Sequence, residues 1–464
     1  MNKMKRIYKL LLAVLMLSSY SAKAQYDGVT FTFLNNIPYI NYYNPGARVP
    51  YLGIVGVAFS NLNFNVTNSS LLYKNIYRFD NGKPVAIAAS DFVGTLKENG
   101  NFIKTGFSMD LANAGFRKGK FYFSLDYRLR YYGDIDYSKD FLGFFILGNG
   151  NYMGADNPAN IHFGVDMGVY TELGLGAQYD VKDNLTVGAR LKVLNGIVNV
   201  DMKDMNLTVY TDPDTYVMTA SSVFDIRMSS MTNPQVYIVN DLGNMFEDLR
   251  FIGNWGFGVD LGATYELNKY FGFGASVYDL GFIKWNDSKV HRHQKYNFIL
   301  NNAIVDDIDD LLDMEFDYTE VVNEIVDNVI GNDTLIDGGS YNTSLRTRVM
   351  LQAYGELNPM ARLTALAQFC FVNGEMTPAF TIAYSGVFFK NILSITANYT
   401  YSKYCGNCVG LGAGVHLGPF NIYAVTDNLL LVTQIGAPVG KLMTSYSANN
   451  LRFGIVWTIG SCQN

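Results

Sequence analysis

Past residue 24 the chain has no apolar run near the about 20 residues that a membrane-spanning helix needs, which excludes a helical membrane protein. Cysteine is also scarce. Cys370, Cys405, Cys408 and Cys462 are too few to staple 464 residues into a disulfide scaffold. Only 16% of residues are charged, and no basic tract is present. An acidic chain without such a tract is a poor nucleic-acid binder. The 11 prolines gather nowhere, so no Pro-rich linker divides the chain into domains. There is no nucleotide motif, no plug domain of TonB-dependent size and no appended peptidoglycan-binding domain. No cofactor or metal is expected.

What is abundant is aromatic and small. The chain holds 33 Tyr, 31 Phe and 44 Gly, and aromatics make up 14% of it. Its first 24 residues carry a basic head (Lys3, Lys5, Arg6, Lys9), a short apolar core from Leu10 to Leu17, and Ala22-Lys23-Ala24 before Gln25. That order and the A-x-A ending are those of a cleaved export signal. Removing the five basic residues of 1–24 leaves 30 basic against 41 acidic residues, a net charge of −11.

Period-two alternation then recurs along the chain, the pattern of strands with one apolar face. In 121–132 Phe121, Phe123, Leu125, Tyr127, Leu129 and Tyr131 share a face opposite Asp126, Arg128 and Arg130. In 161–179 the apolar odd positions oppose His162, Asp166, Glu172 and a series of glycines over 19 residues, too long for an ordinary soluble strand. Leu185 to Val193, Trp255 to Leu267, Leu345 to Ala353 and Leu451 to Ile459 repeat the pattern. A greasy face on every strand needs lipid to cover it, and unpaired edges cannot face hydrocarbon, so the sheet must close.

The expected fold is therefore all-β: a single transmembrane antiparallel barrel of roughly 14 strands (about 12–16) with short turns at one end and long outer loops with short helices at the other. Strands are placed near 51–66, 101–114, 119–133, 161–180, 184–204, 252–267, 270–286, 343–358, 361–373, 378–390, 392–404, 408–418, 419–428 and 450–461. Residues 206–230 have room for a further hairpin. Residues 1–24 are the signal peptide, 25–50 a plug or hatch segment and 51–464 the barrel. The plug assignment rests on prolines and asparagines unlike a wall strand.

Asn44-Pro45-Gly46-Ala47, LGLGAQYDVKDNLTVGARLKVLNGIVNV (173–200), WGFGVDLGATYELNKYFGFGASVYDLGFIKW (255–285), LGPFNIYAVTDNL (417–429) and NNLRFGIVWTIG (449–460) carry a family likeness. Through them the chain resembles an uncharacterised Bacteroidetes family of outer-membrane barrels. That family is distantly similar to the FadL-like barrels that include PorV and to the PorP/SprF proteins. The resemblance implies an outer-membrane barrel without catalytic residues. Gly46 stands inside what is an Asn-Pro-Ala triplet in such chains.

Strand phase places Asp126, Arg128, Arg130, Asp166, Glu172, Arg190, Lys192, Asp260, Glu266, Arg346 and Arg348 toward the lumen, with Glu356, Arg362 and Arg452. They read first as charge pairs filling a polar interior, and second as a selectivity surface. Leu173, Leu191, Val259 and Ile455 are assigned to lipid. Phe31, Phe33 and Tyr39 of the N-terminal segment and Phe144 and Phe145 of loop 134–160 are candidates for capturing an apolar ligand. Those segments and an acidic amphipathic helix over 304–330 are expected to line one cavity. Cys405-Gly406-Asn407-Cys408 frames a turn where either a disulfide or two thiols fit. His162, His416 and His291-x-His293 lack the partners of a hydrolase or a zinc site.

The reading of function is passive transport of small hydrophobic or amphipathic solutes across the outer membrane. The alternative is a non-catalytic scaffold barrel of a surface machine such as type IX secretion. Expected partners are outer-membrane lipids, the barrel-assembly machinery, and either a hydrophobic small molecule or surface-machine proteins.

Overall fold

The computed structural model describes residues 29–34, 37–70, 75, 77–80, 83–215, 217–230, 253–300, 336–372, 374–402, 406–428 and 448–461. The export signal, the 304–330 helix and Cys405 lie outside them.

Seventeen strand segments among these residues form one closed antiparallel sheet. They fill 14 wall positions because three strands are interrupted. β1 is Tyr51–Val57 continued by Leu62–Asn68, and both halves lie between β2 (Asn101–Lys118) and β14 (Ala448–Ser461). The break is marked by Phe59, which takes a φ of 71°. β3 (Phe121–Tyr137), β4 (Ala159–Lys182) and β5 (Leu185–Thr211) follow in order. β6 is Met218–Ser230 plus Asn254–Glu266, both halves lying between β5 and β7 (Phe271–Leu300). β8 is Ile336–Ser344 plus Thr347–Asn358, each half paired to β7. β9 (Ala361–Val372), β10 (Glu375–Phe388), β11 (Leu393–Ser402), β12 (Gly406–Leu417) and β13 (Phe420–Thr426) complete the wall. Closure runs through Tyr51↔Ser461 and Gly53↔Ile459.

Every strand expected from the alternation has a counterpart in the wall. Met218–Ser230 pairs with the end of β5, the further hairpin for which 206–230 has room, and β5 and β7 run further than the pattern indicates. Alternation is sharpest where one face meets hydrocarbon; beyond the bilayer that constraint lapses. At about 3.3 Å per residue the 27 residues of β5 reach roughly 90 Å, against an apolar band of about 25 Å.

Short turns gather at one end of the barrel. Lys118 to Phe121 and Leu417 to Phe420 turn through Gly119 and Gly418, both at φ 59°. At the long-loop end a helix, α1 (Ala89–Gly94), and a second, α2 (Lys139–Leu147), cover the extended strands. Ser138 caps α2 by accepting from the Phe141 N–H at 3.2 Å. Leu125, Leu173, Leu175, Leu191, Phe257, Leu261, Ile382 and Ile455 face outward and are exposed. Asp126, Glu172, Arg190, Lys192 and Asp260, on the opposite faces of β3, β4, β5 and β6, are buried. An apolar exterior around a polar interior is the arrangement of a transmembrane barrel.

Candidate functional site

The interior is organised by charges that converge from β2 to β8. Arg190 on β5 reaches Asp126 on β3 at 2.6 Å, Asp260 on β6 at 2.8 Å and Glu172 on β4 at 3.3 Å. Lys192, two residues along the same face, contacts Asp260 at 2.7 Å and Asp279 at 2.6 Å. Arg130 spans the lumen from Glu172, at 2.9 Å, to Asp279, at 2.8 Å. Arg128 joins Asp110 and Glu172, both at 3.2 Å, and Arg348 on β8 meets Asp279 at 3.3 Å. Five cations thus meet five carboxylates. Burying so many ions is tolerable because each is paired and hydrogen-bonded.

Two of these carboxylates, Asp110 and Asp279, escape strand phase because each sits at a bulge. On β7 the inward residues are even up to Ser276 and Tyr278, then odd from Ile283 and Trp285. The register slips opposite Val259/Leu261, and Asp279 takes a φ of 58° with its N–H donating to Asp260 at 2.7 Å. On β2 the slip falls between Asp110 and Ala112. A bulge adds one residue and turns the following side chains over. The rest of the wall differs in kind. From Thr364, Gln368 and Thr381 through Ser394, Thr396, Asn398 and Thr400 to Asn421, the buried inner face of β9 to β13 is uncharged, rich in hydroxyl and amide groups with Leu366, Ala383 and Val425 among them.

Residues 29–34 and 37–49 lie inside the ring, since they bond to strands all round it. Thr30 donates from its N–H and hydroxyl to Asp427, at 2.8 and 2.6 Å, and accepts from Asn398 at 2.7 Å. Tyr39 donates to Asn113 on β2 at 3.1 Å, and Ser276 on β7 donates to the Tyr43 carbonyl at 2.7 Å. Phe31 lies under the Arg452 guanidinium, 3.7 Å from the ring centre, and Phe33 packs with Tyr278, Met350 and Leu366. Tyr42 is clasped between Arg128 and Arg190, whose guanidinium carbons stand 4.5 and 4.7 Å from its ring centre. Burial, then the neighbouring Asp110 charge, hold its phenol well above its usual pKa, so it stays a donor.

Asn44 to Ala47 rest on a flat pad. Gly188 on β5 pairs with Gly262 on β6 in register, and a Cβ on either would meet Pro45 O at 2.0 Å or Asn44 Oδ1 at 2.1 Å. A Cβ at Gly46 would in turn stand 2.5 Å from the Ala263 backbone. Gln178 on β4 fastens the turn by donating to the carbonyls of Pro45 and Ala47, at 2.9 and 2.6 Å. The extra Gly46 is thus what lets the turn sit flush.

The remaining candidates are dispersed. Arg346 pairs with Asp134 at 3.2 Å beside the network, and Asp166 is half-buried nearby on β4. Glu266 is exposed at the short-turn end, where it lines a second cavity. Phe144 is only 3% exposed and fills a core with Ile161, Leu207, Val209 and Met218, which anchors α2 to the strand extensions; Phe145 is half-buried beside it. Among the described residues the expected convergence on one cavity does not occur. Tyr42 and Tyr43 line a cavity of about 70 Å³, and Phe33, Leu34, Ile37 and Ile40 line another of about 1000 Å³ toward the short-turn end. Neither includes any of 141–147. Strand extension explains this, because β3, β4 and β5 lift α2 well away from the lumen. Cys408 is disulfide-bonded. His162 meets Asn206 at 3.2 Å and the His416 ring packs tilted against Tyr51.

A family model of unknown function, DUF5723, matches residues 45–427, most of the wall and the Asn44–Ala47 turn's last three residues. The chain belongs to the DUF5723 family. No curated protein matches this DUF5723 chain significantly in sequence. Among solved structures it is similar to a Pseudomonas aeruginosa FadL homologue (TM-score 0.45, 10% identity, 93% of this chain and 96% of that one). It is likewise similar to the Ralstonia pickettii toluene transporter TbuX (0.41, 10%, 96% and 96%) and the Pseudomonas putida toluene transporter TodX (0.40, 8%, 94% and 94%).

Proposed function

We propose that this DUF5723 protein is an outer-membrane barrel for passive passage of small hydrophobic or amphipathic solutes, with residues 25–50 as its plug. One observation carries the reading. The N-terminal segment is a separate body inside the ring, bonded to it by side chains, with a cavity on each side of it. The segment offers a solute an apolar side in Phe33, Leu34, Ile37 and Ile40, while the wall is polar. A cavity that sets an apolar side against a polar, charged wall suits an amphipath.

Deleting residues 26–44 is the test. The folded variant should conduct more than the intact protein in planar bilayers, and native mass spectrometry of gently extracted intact protein should show a bound amphipath. A second reading, a scaffold barrel of a surface machine, is favoured by the ten paired charges that tie the lumen together. A folded deletion variant with unchanged conductance, from a protein that extracts empty, would support the scaffold and overturn the plug.

A further inference from the structure

The charge network has two sides, and they are not equivalent. The 70 Å³ chamber above Tyr42 and Tyr43 is lined by Arg128, Arg130, Lys192, Arg346, Arg348 and Arg452. Asp279 is the single carboxylate among the described residues that line it. The other acids of the network lie behind the cations, save Asp134, which at 9% is as exposed as its partner Arg346 at 10%. Asp110, Glu172 and Asp260 keep no exposed side-chain surface, whereas Arg128, Arg130 and Arg346 keep 9%, 17% and 10%. Carboxylates therefore hold Arg128 and Arg130 in place from the wall side, and the chamber receives the positive side of those pairs, while Lys192 and Arg348, 1% and 2% exposed, are buried together with their partner Asp279 at 4%. Six tyrosines also line it: Tyr42, Tyr43, Tyr131, Tyr132, Tyr170 and Tyr278.

We infer that this chamber binds an oxyanion, a phosphate-type or carboxylate group. The volume admits a few waters or one such group. Guanidinium forks match the planar or tetrahedral oxygens of oxyanions, and the positions of these forks are already fixed by their carboxylates, so little ordering is needed on binding. A low-dielectric surround strengthens the attraction relative to water. The inference rests on the passage reading in treating the chamber as a station on the solute's path, and it narrows the solute class to anions. The oxyanion arrives either free or as the head group of an amphipath.

Calorimetric titration of the detergent-purified full chain with inorganic phosphate, and separately with decyl phosphate, tests it. At least one should bind with one-to-one stoichiometry. Arg346→Gln should weaken that binding about tenfold or more, and Arg346→Lys less, since a charge-assisted hydrogen bond is lost in the first and a charge kept in the second. Binding of inorganic phosphate identifies a free oxyanion, and binding of decyl phosphate alone identifies a head group. If the variants do not fold, the wild-type chain provides the readout: the same phosphate should protect Arg130 and Arg346 from phenylglyoxal. No binding of either phosphate, binding unchanged in folded Arg346→Gln, or no protection overturns the inference. The conductance of the 26–44 deletion is read without phosphate, so failure of the site and failure of passage are separate results.

Discussion

The phenol of Tyr42 donates to Asp110 Oδ2 at 2.8 Å, joining the N-terminal segment to the bulge of β2. The same ring is held between Arg128 and Arg190. Tyr42→Phe removes the hydrogen bond and keeps the stacking, so docking of the segment should weaken by about 1.5–3 kcal/mol. Tyr42→Ala loses both, adding about 1–2 kcal/mol per guanidinium contact. Channel-opening frequency in planar bilayers should rise in the order wild type, Phe, Ala. Equal frequencies in all three would mean that this residue does not restrain the segment.

Arg190 contacts three buried carboxylates, Asp126, Glu172 and Asp260. Arg190→Ala leaves Asp126, Glu172 and Asp260 short of a buried partner, and stability should fall by about 3–5 kcal/mol. Urea unfolding of vesicle-inserted protein, followed by heat-modifiable gel migration, measures this. A loss within experimental error would show that the other cations compensate.

The glycine pad predicts a steric effect. Gly46→Ala drives a Cβ into the Ala263 backbone, and overpacking of this kind costs about 1–3 kcal/mol. Gly150→Ala meets nothing within 4 Å and is the matched control. Limited proteolysis should release the N-terminal segment faster from Gly46→Ala than from the control, and identical release would refute the flush docking.

The outer face predicts a depth-dependent cost. Leu173, Leu191 and Ile455 are 38%, 61% and 54% exposed on the apolar exterior, and Arg at any of them near the midplane should cost about 2–4 kcal/mol. Arg at the inward Gln352, which lines the cavity of about 1000 Å³, is the comparison. Folding yields into vesicles that fail to separate the two sets would argue against a lipid-facing surface.

How far these features could be read from the sequence depends on whether local pattern determines them. Alternation alone orders Asp126, Arg128, Glu172, Arg190, Lys192 and Asp260 on one face, because lipid on the other leaves no choice. It fails at Asp110 and Asp279, where a single added residue inverts the phase and nothing in the adjacent letters announces it. It also fails for Phe144, whose neighbours Leu207 and Met218 are distant in sequence and meet it only because β5 and β6 outrun the bilayer. Gly46 reads as an insertion until its contact with β6 gives it a purpose.

The division of the inner wall into a charged half and a hydroxyl half has a mechanical consequence. Across β3 to β8 the carboxylate–guanidinium pairs act as transverse struts, and ovalising that half would separate ions with no water to receive them. Across β9 to β13 a hydroxyl that loses one neighbour finds another by rotating. Lateral pressure in the membrane should therefore deform the barrel unevenly, with the hydroxyl half yielding first. Amide exchange in thin and thick bilayers would register it as thickness-dependent rates in β10 and β11 beside constant rates in β4 and β5; the shape of the pore would then follow the membrane that holds it.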